Sequence, residues 1–118
     1  YQEEVFGPFS LIVKCKNLRE LEKVAGALKG QLTGSIFAQP SDYNSIDPLI
    51  RTFKSKVGRF LFNDVPTGVE VSAAMTHGGP FPASSDSRYS AVGHGSIYRW
   101  VRPITYQNWP DELSYKLI

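Results

Sequence analysis

The feature that most restricts this 118-residue chain is a repeated change of hydrophobic period in its first half. Three short apolar runs, Phe9–Cys15, Leu32–Ala38 and Phe60–Phe62, are separated by two stretches whose apolar residues recur at helical spacing. Leu18, Leu21, Val24, Ala25 and Leu28 form one stripe; Leu49, Ile50, Phe53 and Val57 form the next. Such stripes predict amphipathic helices, and short runs between them predict strands. Strands joined through helices cannot close as hairpins, so the crossovers impose a parallel sheet. Phe9, Leu11, Val13 and Cys15 alternate on one face while Ile12 is apolar on the other, as in a strand covered on both sides. The expectation is an α/β fold: a βαβαβ parallel sheet with helices on both faces.

Local signals set the boundaries. Asn17 offers an N-cap and Glu20 the matching end of a capping box, so the first helix is read as Leu18–Lys29, with Gly30 as a left-handed stop. Asp47 is read as the N-cap of the second helix, with Pro48 at its first position, and Gly58 as its end. From Val65 to Ser90 the chain carries Pro66, Gly68, Gly78, Gly79, Pro80 and Pro82. An irregular stretch beyond about 12–15 residues in a compact domain is functional or a linker. Within and after it, Val69–Ala73 reads as a brief strand, Gly95–Val101 as a short helix and Pro103–Tyr106 as a C-terminal edge strand. Asp111–Leu117 reads as one or two helical turns.

Composition excludes several classes. With 13 basic and 11 acidic residues the formal charge is +2, and no block of like charge stands behind it, against a nucleic-acid stripe or a membrane-surface helix. One cysteine excludes a disulfide framework and a multi-thiolate zinc site. No apolar run approaches the roughly 18–20 residues of a bilayer span. Without a signal-peptide pattern, a reduced, cytoplasmic setting is the default expectation. The start at Tyr1, running at once into Glu3–Pro8, reads like the interior of a protein rather than a native terminus.

Candidate chemistry is sparse. Cys15 shares a face with Leu11 and Val13 and reads as core packing rather than a nucleophile. His77 and His94 have no regular ligand spacing, so no metal site is expected. His77 precedes Gly78-Gly79 in a loop, where a polar side chain can face a cavity; His94, between two glycines, reads as a solvated turn residue. Gly93-His94-Gly95 lacks the third glycine and the strand-turn-helix opening of a dinucleotide fingerprint. Trp100 and Trp109, near Tyr98, Arg99 and Arg102, read as core aromatics with flanking charges in preference to a base-stacking surface. No complete catalytic constellation is present.

Longer motifs go further. Glu3-Glu4-Val5-Phe6-Gly7-Pro8 resembles the E-[IV]-F-G-P motif of the NAD(P)-dependent aldehyde dehydrogenase superfamily. Asn63–Val71, Met75–Ala83, Ala91-Val92-Gly93 and Arg99–Pro103 resemble one branch of it, which includes 2,5-dioxovalerate (α-ketoglutaric semialdehyde) dehydrogenases and some fatty-aldehyde dehydrogenases. The resemblance covers essentially the whole chain. It implies a C-terminal fragment of the catalytic domain, residues 1–118, without the cofactor-binding domain and without the family's catalytic Cys and general-base Glu. It implies that Glu4 hydrogen-bonds the nicotinamide ribose and that Phe6 packs near the nicotinamide ring. It implies that His77 lines the substrate tunnel where many members carry an aromatic, with Val71 alongside, and that a polar tail such as that of an oxo-acid semialdehyde is favoured. The intact enzyme would use a thiolate, NAD(P)+ and a glutamate-activated water, as a homo-oligomer, with no nucleic-acid or membrane partner. The segment after Pro103 would join subunit contacts, and the fragment alone would be inactive and expose apolar surface. Two other readings stand beside this one: a stand-alone small-molecule binding module with the Gly/Pro loop as its lid, and an interaction unit whose sheet edge pairs with a partner.

Overall fold

The computed structural model describes residues 3–113. Its regular core is α1 (Leu18–Ala27), β1 (Gln31–Ile36), α2 (Asp47–Lys54) and β2 (Val57–Phe62), with short 3-10 turns at Pro40–Asp42 and His94–Arg99. β1 and β2 pair in parallel from Gln31↔Val57 to Ile36↔Phe62, and α2 is the crossover between them. The architecture is a small α/β unit with a two-stranded sheet.

α1 starts where its cap dictates, whereas Asp47, expected as the cap of α2, is its first helical residue, and Ile46 before it makes no side-chain cap bond. The Asn17 side chain accepts from the Glu20 N–H at 3.0 Å, and the Glu20 carboxylate accepts from the Lys16 N–H at 2.6 Å, one residue before the expected partner. The core draws Ala25 from α1, Ile36 from β1, Ile46 from the turn before α2 and Leu49 from α2. Phe53 of α2 stacks on Phe60 of β2 with ring centroids 5.5 Å apart. Both helices therefore feed one cluster, and the expected second helical layer is not formed among the described residues. The opposite face turns instead toward the long loop, through Arg59, whose guanidinium donates to the Gly68 carbonyl.

Asn63 continues the pairing beyond the last strand residues. Its N–H donates to the Ile36 carbonyl, and its side-chain amide both accepts from the Ala38 N–H at 2.8 Å and donates to the Ala38 carbonyl at 3.0 Å. Asn63 has φ 51, a left-handed conformation that asparagine tolerates better than most residues.

Gly30 and Gly58 correct the reading of the helix ends. α1 ends at Ala27 and α2 at Lys54, each before its glycine. A Cβ on Gly30 would lie 2.0 Å from the Pro80 carbonyl oxygen, and one on Gly58 2.0 Å from that of Gly78. The glycines are needed because the loop backbone at 78–81 lies directly on the amino ends of both strands. Gly79, at φ 148, sits between the Gln31 carbonyl and the Gly58 N–H. The Gly30 N–H donates to the Phe81 carbonyl at 3.3 Å.

Three expected strands are not formed among the described residues. Phe9–Cys15 runs without strand pairing, with Phe9, Leu11, Val13 and Ile12 exposed, Ile12 by 86%. Val69–Ala73 and Pro103–Tyr106 are likewise unpaired. A strand exists only through a ladder of hydrogen bonds to a neighbouring strand, and no described strand pairs with these segments. Gly95–Val101 is realised as the 3-10 turn His94–Arg99. Of Asp111–Leu117, 111–113 form a 3-10 turn, and the remainder lies outside the described residues. Trp100 is 81% exposed, and Trp109, also exposed, meets Tyr106 edge-on at 5.0 Å. The core role expected of both is thus corrected: no described element covers them.

The surface is large for the mass. The chain exposes 9806 Å2, against roughly 6,400 Å2 for a compact 13.2 kDa monomer. Its radius of gyration is 20.1 Å, against about 13.5 Å for a compact domain of this length. Purified alone, the chain should self-associate as concentration rises, because apolar patches beyond a few hundred Å2 drive association. Light scattering that stayed at the monomer mass throughout would refute this. Gly58→Ala should lower stability by ~1–3 kcal/mol or more, as overpacking does. Gly68→Ala, where nothing lies within 4 Å of the added carbon, is the control in the same urea titrations.

Candidate functional site

Seating the 78–81 backbone on the strand starts creates two neighbouring clefts. The first, of about 410 Å3, is lined by Glu3 and Glu4, by Leu28 to Thr33 and by Pro82 and Ala83. The second, of about 390 Å3, is lined by His77, Gly78, Ser84, Asp86, Tyr89 and Arg99 among others. Leu32 and Ala83 belong to both linings, so the clefts share a wall.

His77 reaches its place through its backbone. Its N–H donates to Ser90 Oγ at 2.9 Å, and its carbonyl accepts from the Ala91 N–H at 2.8 Å. Ser90 is buried, and its hydroxyl also donates to the Val92 carbonyl, so one small side chain ties the two arms of the loop. Ser84 Oγ donates to the Gly79 carbonyl at 2.8 Å and fixes the turn that follows. The imidazole itself makes no hydrogen bond among the described residues, and its Nδ1 is buried without a partner.

The charges of the second cleft are arranged unequally. Asp86 accepts from Arg88 Nε at 2.9 and 3.2 Å and from Arg88 Nη2 at 2.6 Å, and from the Arg88 N–H at 3.0 Å. The Arg88 guanidinium holds the Asp86 carboxyl down to about 2. Asp86 is therefore ionised and matched throughout the neutral range. Its depressed value works for the folded state above the unfolded value near 3.8, and that contribution fades as pH falls through about 2. The pair is solvent-exposed and its effect on stability is small. Arg99 has no hydrogen bond or ion pair among the described residues.

The residues expected to form the site divide. Glu4 lines the first cleft and His77 the second. Phe6, 96% exposed, and Val71, 69% exposed, line neither. Cys15 is half-buried and His94 exposed, and neither lines either cleft. Sequence reasoning did not assign Arg99, Ser84 or Ser90 to the site. Ser90 could have been suspected only by knowing that His77 lies against it, and Arg99 stands in a segment read for its aromatics. Among the described residues no group of three or more His, Cys, Asp or Glu side chains is placed to hold a metal ion, and no helix is long and apolar enough to cross a membrane.

A nicotinamide dinucleotide fits the chemistry of the first cleft in one respect. A carboxylate accepts hydrogen bonds from both hydroxyls of a vicinal diol, as acidic residues do on ribose elsewhere, and Glu3 and Glu4 supply carboxylates at its edge.

No family model matches the chain. It is 47% identical over 113 residues to alpha-ketoglutaric semialdehyde dehydrogenase 2 of Azospirillum brasilense, a match covering 96% of this chain and 22% of that protein. It is 50% identical over 107 residues to an alpha-ketoglutaric semialdehyde dehydrogenase of Acinetobacter baylyi, covering 91% of this chain and 20% of that protein. The chain thus spans about a fifth of the length of the curated relatives it matches. Identity at this level along nearly all of its residues agrees with the motifs at Glu3–Pro8 and Met75–Ala83, and the chain belongs to the aldehyde dehydrogenase family as a segment of such an enzyme.

Proposed function

We propose that the chain is the C-terminal part of the catalytic domain of an NAD(P)-dependent aldehyde dehydrogenase that oxidises an oxo-acid semialdehyde, such as 2,5-dioxovalerate, to the carboxylate. The observation that carries this reading is the shared wall of the two clefts at Leu32 and Ala83. Hydride transfer needs the aldehyde and the nicotinamide side by side. A cleft edged by Glu4 and an adjoining cleft containing His77 offer neighbouring places for them. Bound there, the cofactor supplies the hydride acceptor. The chain's own part is to orient: Glu4 accepts from the ribose hydroxyls, and His77 hydrogen-bonds the polar tail of the substrate. Positioning of this kind is the protein's main contribution to cofactor chemistry.

Phe6 is assigned to the nicotinamide ring by the motif alone, and Val71 to the tunnel wall in the same way. Both are exposed here, and both roles need the rest of the enzyme around them. The nucleophilic thiol and the general base are assigned to the part of the enzyme outside these 118 residues; Cys15 lines neither of the two clefts.

The test uses the intact enzyme and the isolated chain in parallel. The intact enzyme should reduce NAD+ or NADP+ with a semialdehyde, and the isolated chain should reduce neither. In the intact enzyme Glu4→Gln should raise KM for the cofactor roughly tenfold or more, the scale of a hydrogen bond to a charged group. Cofactor reduction by the 118-residue chain, or an unchanged cofactor KM in Glu4→Gln, would refute the assignment.

A further inference from the structure

The second cleft has donors to spare and its one carboxylate is already engaged. Asp86 is closed onto Arg88 by a two-pronged contact, so it adds no free negative charge to the lining. Arg99 lines the same cleft and has no counter-ion among the described residues. With His77 Nδ1 shut away, Nε2 is the ring nitrogen left for a ligand. The Ser85 hydroxyl, also in the lining, makes no hydrogen bond among the described residues. An uncharged hydrocarbon tail would strip water from these donors and give nothing back. A carboxylate would fill them, since a guanidinium presents a planar fork that matches its two oxygens.

We propose that Arg99, together with His77, receives the carboxylate tail of the substrate and so separates anionic semialdehydes from uncharged aldehydes. This rests on the dehydrogenase reading given above. Arg88 does not line the cleft and is closed onto Asp86, so among the described residues Arg99 is the cation of the lining that lacks a counter-ion.

The experiment compares two substrates in the intact enzyme: a five-carbon aldehyde bearing a terminal carboxylate, and pentanal. Arg99→Gln should raise KM for the anionic aldehyde by roughly 10–100-fold, the loss expected when a charged hydrogen bond goes. Its kcat, and both constants for pentanal, should change little. Arg99→Lys should recover part of the loss. Asp86→Asn, which keeps the acceptor for the Arg88 N–H but frees its guanidinium, should move KM for the anionic substrate downward. Equal losses on both substrates would mark Arg99 as structural and overturn the proposal. So would an unchanged ratio between them. Should Arg99→Gln fail to fold, Arg99→Lys decides: a KM raised for the anionic aldehyde alone supports the proposal, and an unchanged ratio between the two substrates overturns it. An intact enzyme that oxidises neither aldehyde overturns the dehydrogenase reading itself, whereas oxidation of both with no discrimination by Arg99 overturns only this assignment.

Discussion

The close seating of one backbone on another governs this structure. The loop at 78–81 lies on the amino ends of β1 and β2 with no side chain between, because Gly30, Gly58 and Gly79 leave room for carbonyls at distances a Cβ would block. Both clefts follow from it. In open α/β sheets ligands commonly bind beyond the carboxyl ends of the strands. Here that end is closed by Asn63, whose amide pairs with Ala38, and the candidate site lies at the other end. Pressing the loop onto the strand starts brings His77 beside Leu32 and brings Ala83 between the two clefts.

Much of the core was legible because its signals are local. The stripes of α1 and α2, the cap at Asn17 and the runs of β1 and β2 each depend on neighbours a few residues away. What depended on distant partners was misread. Gly30 and Gly58 follow helices closely enough to pass for stops, and nothing within either stretch announces the carbonyl that arrives from fifty or twenty residues later. Phe9–Cys15 has the pattern of a strand, but a pattern cannot supply the pairing chain. The same holds for Trp100 and Trp109, read as core and found exposed. In the site, the motif around Met75–Ala83 pointed to His77, whereas Arg99 could not be linked to it without the turn at His94–Arg99.

Exposed apolar residues run along the chain, Phe37, Phe62, Val71 and Phe81 among them, and two groups stand toward its ends. Val5, Phe9, Leu11 and Ile12 lie on the first segment, and Ile97, Trp100, Val101 and Ile104 on the last. Among the described residues, the hydrophobic side chains buried below a tenth of their surface are Ala25, Ile36, Ile46 and Leu49. That is a small hydrophobic contribution to set against the ordering of more than a hundred residues. Stability of this sequence is therefore expected to depend on what covers its two ends, in keeping with a segment one fifth the length of its relatives.

His77 is anchored through its own N–H and carbonyl, to Ser90 and Ala91, while its ring carries none of the holding contacts. Scaffold and selectivity are thereby uncoupled at this position. A different side chain at 77 inherits the same seat, so natural drift can retune what the cleft accepts without first having to rebuild the loop that presents it.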